Sequence, residues 1–193
     1  MTNQPRVVAI CGSLNEKSTT RVALQNALVG VESEGGTGEL LDLREFDLPL
    51  FDPSNRDAGD AAELKRRVRE ADAVILGTPV YHGSYSSPLK TALDYCGFDE
   101  FEGKTVGLLA VAGGRFPITA MDHLRSVCRA LDAWVLPYEA AIPRSHSAVV
   151  NGAFTDAELE SRVVALGRQI VLYANIEPCP ESFESGENIG AVD

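Results

Sequence analysis

The chain has 193 residues, 45% of them hydrophobic and 23% charged, which is typical of a globular protein with one substantial core. Its net charge of -11 disfavours nucleic acid and anionic membrane surfaces as partners, because both would repel it. No apolar run is long enough to span a bilayer, and the N-terminus lacks a signal pattern, so we expect a cytoplasmic protein. The acid-rich, lysine-poor composition also suits a salt-rich, halophilic habitat.

Short apolar runs alternate with helical patterns along most of the chain. Strands are predicted at 6–12, 40–43, 73–80, 105–112 and 133–142. Amphipathic helical patterns occupy 18–34, 60–71, 86–97, 117–131 and 155–170, the last opening with a capping box of Thr155 and Glu158. Three strands are apolar on both faces, as in a parallel sheet covered on each side.

Five repeats of strand and helix predict an α/β domain, a doubly wound five-stranded parallel sheet with helices on both faces. We assign residues 1–176 to this domain. Residues 177–193 lack periodicity and are predicted to form a C-terminal tail that is loose or packed on a partner subunit.

The cysteines and histidines show no metal-binding pattern. Cys11, Cys96, Cys128 and Cys179 form no CxxC pair, and three of them lie in apolar patterns typical of reduced, buried thiols. His123 and His146 have no ligand spacing either, so no metal site is predicted.

The stretch "AICGSLNEKSTTR" (9–21) runs from a buried strand to the polar start of a helix, a position that often binds phosphate. It does not match a P-loop, because Lys17 stands where the second glycine should be. It also lacks the later glycines of a dinucleotide fingerprint. One turn glycine and several hydroxyls remain, which fit either a cup for one terminal phosphate or a simple helix cap.

Two more strands end in stretches that allow a close approach of the backbone to a ligand. The third strand runs into "TPVYHGSYSSPLK" (78–90), which offers aromatic faces and backbone amides for a flat ring. The fourth strand ends in "AGGRFP" (112–117). In a doubly wound sheet, ligands bind beyond the carboxyl ends of strands where the strand order reverses, so the three loops are predicted to converge.

These three stretches, in this order, resemble the NADPH-dependent FMN reductase family, which has a flavodoxin-like fold. "GSLNEKSTT" corresponds to the family's GS-[LT]-R-x-x-S-x-[NT] loop, "TPVYHGSYSSPLKTALD" to its P-x-Y-x-x-[SG] loop and following helix, and "GGRFP" to its third loop. The resemblance covers residues 6–170.

The resemblance implies an FMN site built from all three loops. The phosphate would be held by Ser13, Asn15, Ser18 and Thr20, with Thr19 beside them. The isoalloxazine ring would be lined by Pro79, Val80, Tyr81, His82, Gly83 and Ser84. The opposite side would be closed by Gly113, Gly114 and Arg115. The family commonly has arginine at position 15, so the missing charge would have to come from Lys17 or Arg21.

The implied function is an FMN-dependent NAD(P)H oxidoreductase. It would move a hydride from NADPH or NADH to flavin N5 and then to free flavin, a quinone or another small acceptor, without a catalytic side chain. A homodimer or homotetramer is expected. The alternatives are a flavodoxin-type electron carrier without a nicotinamide site and a non-catalytic flavin-binding protein. The first loop is unlike the [ST]-x-TGNT loop of flavodoxins.

Overall fold

Five parallel strands form the centre of the molecule in the computed structural model, which describes residues 4–175. In chain order they are β1 (Arg6–Cys11), β2 (Thr37–Asp42), β3 (Ala73–Pro79), β4 (Thr105–Val111) and β5 (Trp134–Ile142). Their spatial order is β2-β1-β3-β4-β5, and every neighbouring pair is parallel. This is the flavodoxin-like order, in which the winding direction reverses between β1 and β3.

Helices cover both faces of the sheet. They are α1 (Thr19–Ser33), α2 (Ala61–Arg69), α3 (Ser87–Tyr95), α4 (Phe98–Phe101), α5 (Ile118–Ala130), α6 (Ser145–Ala148) and α7 (Ala157–Leu172). A 3-10 turn occupies Leu43–Glu45, and a small antiparallel hairpin pairs β6 (Val149–Val150) with β7 (Ala153–Phe154). The predicted doubly wound sheet is therefore confirmed.

The core divides into two layers because side chains alternate across each strand. Val7 and Ala9 of β1 pack with α1 and α7 on one face, whereas Val8 and Ile10 pack with α2, α3 and α5 on the other. Helices α1 and α7 touch through glycine: a Cβ on Gly167 would lie 1.8 Å from the Ala27 carbonyl oxygen. This close contact fixes α1, whose first turn faces the carboxyl edge of the sheet.

The structure corrects two sequence predictions. Strand β2 begins three residues before the predicted 40–43, because the Thr37 amide donates to the Pro5 carbonyl and pairing with β1 starts there. The cap of α7 is Asp156, whose carboxylate accepts from the Glu158 amide at 2.8 Å, and not Thr155. The Thr155 hydroxyl donates to the Ser147 carbonyl instead.

Cys11, Cys96 and Cys128 are buried free thiols, as predicted. Cys179 and the predicted tail at 177–193 lie outside the described residues. Within residues 4–175, no helix is both long and apolar enough to cross a membrane.

Candidate flavin site

A cavity of about 600 Å³ opens at the carboxyl edge of the sheet, where the winding direction reverses. Nine of the residues predicted from the sequence line it: Ser13, Asn15, Ser18, Thr19, Thr20, Pro79, Val80, Tyr81 and Gly113. Five other predicted residues lie outside its lining: His82, Gly83, Ser84, Gly114 and Arg115. Lys17, one of the two residues expected to supply the missing charge, also lines the cavity. The sequence did not place four further lining residues in the site: Val111, Ser145, His146 and Val149.

The first loop, residues 12–18, is held tightly against β3 and α3. The Gly12 amide donates to the Gly77 carbonyl at 2.8 Å, and the buried Ser86 hydroxyl donates to the Gly12 carbonyl at 2.6 Å. A Cβ on Gly12 would lie 2.8 Å from both Leu89 Cβ and Ser86 Oγ. Glycine is needed here because the backbone passes so close to α3.

Side chains of the first loop also stabilise its own turns. The Asn15 carboxamide oxygen accepts from the Lys17 amide at 2.8 Å, which is an Asx turn. Ser18 Oγ accepts from the Arg21 amide at 3.1 Å and so caps α1. Ser18 therefore both caps the helix and lines the cavity.

Arg21 supports the first loop from outside the cavity. Its Nε donates to the Asp42 carboxylate at 2.6 Å, and its terminal nitrogens donate to the Asn15 and Glu16 carbonyls at 3.0 Å each. Asp42 is 3% exposed and also accepts from Arg44. Burial opposes the charge of Asp42, but the hydrogen bonds from Arg44 and Arg21 outweigh it and lower the pKa of this carboxyl.

The second loop, residues 79–84, ends in a tight turn. The Tyr81 and Ser84 backbones exchange two hydrogen bonds of 3.0 Å, and His82 and Gly83 between them have φ of 50° and 78°. Positive φ at both central positions is the pattern of a type I′ turn. Ser84 Oγ and His123 Nδ1 are hydrogen-bonded at 2.9 Å, which ties the turn to α5. Tyr81 at the base of the turn reaches the cavity lining, and the tip is exposed.

The third loop, residues 112–117, is joined to the segment that follows β5. The Arg144 amide donates to the Gly114 carbonyl at 2.9 Å, and the Ser145 amide donates to the Ala112 carbonyl at 3.0 Å. These bonds bring Ser145 and His146 to the cavity. This segment follows β5 and so lies at the same edge of the sheet as the three loops. Its position after a strand was the one feature of the sequence that could have placed it in the site.

The cavity has the features that an FMN phosphate requires. Hydroxyls surround the start of α1, whose first turn contains no acidic residue, and first-turn amides have no partner within a helix. No carboxylate from the described part of the chain lines the cavity, and the cavity volume is typical of a cofactor site. Across residues 4–175 no group of three or more metal-ligating side chains is found. A second depression, of about 530 Å³ beside Arg125 and Trp134, lies at the opposite edge of the sheet.

Comparisons with known proteins agree with this geometry. The family model for NADPH-dependent FMN reductases matches residues 5–147. An FMN-dependent NADPH-azoreductase from Staphylococcus aureus is 33% identical over 178 residues, covering 88% of this chain and 95% of the relative. An NADH:FMN oxidoreductase in its apo form superposes with a TM-score of 0.72 at 24% identity, covering 91% of this chain and 92% of that one. The flavoenzyme NAD(P)H:(acceptor) oxidoreductase of Paracoccus denitrificans has a TM-score of 0.73 at 21% identity, covering 88% and 97% of the two chains.

Proposed function

The chain belongs to the NADPH-dependent FMN reductase family, and we propose that it moves a hydride from NAD(P)H to N5 of bound FMN and passes the electrons to free flavin, a quinone or another small acceptor. It is a flavin-dependent oxidoreductase that uses FMN as cofactor and NADPH as co-substrate. Because one relative is named for azo reduction, azo compounds belong among the acceptors to assay.

The observation that carries the proposal is the cavity itself. It lies at the reversal point of the sheet and combines the hydroxyl-rich start of α1 with Pro79, Val80 and Tyr81 at the end of β3. One end therefore suits a phosphate and the other suits a flat ring.

The protein's part in this chemistry is to bind, orient and exclude water. We assign Ser13, Asn15, Ser18 and Thr20 to the phosphate, and the second loop, from Pro79 to Ser84, to one side of the ring. The third loop, with Gly113, Gly114 and Arg115, closes the opposite side of the ring, and Arg115 contacts an anionic group of the incoming nucleotide or acceptor. No side chain needs to act as a general acid or base in the hydride step.

Two alternatives predict different behaviour of the same protein. A flavodoxin-type carrier would bind FMN without reacting with NADPH, and a flavin-binding protein without activity would show no turnover. The first loop supports the enzyme, because "GSLNEKSTT" differs from the [ST]-x-TGNT loop of flavodoxins. The homo-oligomeric state, the cytoplasmic location and the absence of nucleic-acid and membrane partners stay predictions.

Steady-state turnover tests the proposal. Oxidation of NADPH is followed with the FMN-loaded protein and, in separate assays, free flavin, a benzoquinone and an azo dye, and apo protein is the matched control. We expect sustained oxidation that depends on both FMN and an acceptor. Binding of FMN without turnover on any acceptor would favour the carrier or the non-catalytic alternative.

A further inference from the structure

The charges around the cavity differ from those of the whole chain. The chain has a net charge of -11, yet within residues 4–175 no aspartate or glutamate lines the cavity. The basic side chains in the lining are Lys17, from the first loop, and His146, from the segment after β5. This local balance favours an anion, although the protein as a whole repels one.

The other candidate cation of the first loop is engaged elsewhere. Arg21 donates to Asp42 and to two loop carbonyls, and it does not line the cavity. Asn15, which stands where the family commonly has arginine, uses its carboxamide oxygen to accept from the Lys17 amide. The basic side chains left in the cavity lining to contact a bound phosphate are therefore Lys17 and His146.

His146 is held by two of the site's elements. The preceding Ser145 amide donates to the Ala112 carbonyl, and the Thr19 hydroxyl at the start of α1 donates to the Ser145 carbonyl at 3.5 Å. The His146 ring also lies against the third loop, with Nε2 3.6 Å from the position of a Cβ on Gly113. His146 thus stands between the third loop and the helix start where a phosphate would bind.

We propose that Lys17 and His146 form a two-sided clamp for the FMN phosphate and give the chain its selectivity for FMN over riboflavin. The proposal rests on the function proposed above. In it, Lys17 of the first loop and His146 of α6 take the place of the family's arginine. An ammonium supplies charge, and an imidazole donates an N–H in either protonation state. Riboflavin is the natural probe, because it lacks only the phosphate.

The test measures Kd for FMN and for riboflavin by quenching of flavin fluorescence on apo protein. We expect K17Q to raise the FMN Kd about tenfold, since a charge-assisted hydrogen bond is lost, and H146L to raise it about threefold, since leucine has no N–H to donate. The riboflavin Kd should stay within about twofold in both variants, because neither residue would contact the ring. H146K should bind FMN at least as tightly as the unchanged protein, because its ammonium also donates to a phosphate.

The control is K90Q, since Lys90 pairs with Asp94 on α3 and lies outside the cavity. It should leave both Kd values unchanged, and circular dichroism shows that each variant is folded. The clamp is overturned if H146L or K17Q weakens the binding of both flavins by the same factor, if either leaves the FMN Kd unchanged, or if the unmodified chain does not prefer FMN. Failure to bind either flavin would instead contradict the proposed function.

Discussion

The first and third loops lie at the same edge of the sheet but differ in how firmly the rest of the protein holds them. The first loop is fixed by Gly77, Ser86 and the side chain of Arg21, and its glycine has no room for a Cβ. The third loop is tied at its ends, whereas its tip is open: Phe116 is 78% exposed, and a Cβ on Gly114 would meet nothing within 4 Å.

This difference matches two kinds of ligand. A cofactor that stays bound gains affinity from a preorganised loop, because little ordering is needed on binding. A nucleotide or acceptor that must leave after each turnover suits a loop with an exposed tip. We therefore expect changes in the first loop to affect FMN affinity and changes in the third loop to affect KM.

Adding one methyl group to each loop should show the contrast most strongly. G12A forces its Cβ to within 2.8 Å of Leu89 and Ser86 and should lower the free energy of unfolding by about 1–3 kcal/mol. G114A places its Cβ in open space and should leave the free energy of unfolding unchanged. Urea unfolding measures both, and equal losses in the two variants would refute the difference in packing.

The second largest effect is expected from replacing Arg21, which holds the first loop in place, because FMN binding should then weaken. R21Q loses its hydrogen bonds to the Asn15 and Glu16 carbonyls, and the FMN Kd should rise about tenfold, the equivalent of one charged hydrogen bond. R44Q is the matched control, because Arg44 binds the same Asp42 without reaching the loop. If R44Q raises the FMN Kd as much as R21Q does, Arg21 has no special role in positioning the loop.

A change at the exposed tip of the third loop should have a smaller and different effect. R115Q should raise the KM for NADPH about threefold, as expected for an exposed ion pair with a phosphate, and leave the FMN Kd unchanged. R168Q on α7, where Arg168 contacts Ser33, is the control and should leave both values unchanged. A rise in the FMN Kd of R115Q with no change in KM would place Arg115 on the cofactor side.

The smallest expected effect is that of acid on Asp42, the carboxylate that orients Arg21 behind the first loop. The pKa of Asp42 is below its ordinary 3.8, so its contribution to stability is present above that pH and is lost as the pH falls through the lower, folded-state value. The free energy of unfolding should therefore decrease as the pH is lowered below about 4. D42N should be less stable at neutral pH and lose less on acidification, and a parallel acid dependence of both proteins would contradict this role of Asp42.

The sequence predicted the parts of the site that depend on local patterns. Apolar runs located the strands, and the resemblance of the loops after β1, β3 and β4 to the family's loops implied nine residues of the cavity lining. It did not predict His146 or the role of Arg21, because both depend on contacts between distant segments. His146 is brought in by hydrogen bonds between the third loop and the end of β5, and Arg21 is oriented by Asp42 at the end of β2.

The most direct test of the central claim is an absorbance spectrum of the FMN-loaded protein before and after NADPH is added without oxygen. We predict rapid bleaching of the flavin band near 450 nm (about the absorbance maximum of the cofactor), followed by recovery when a quinone is added. A yellow protein whose spectrum does not change with NADPH or NADH would contradict the account.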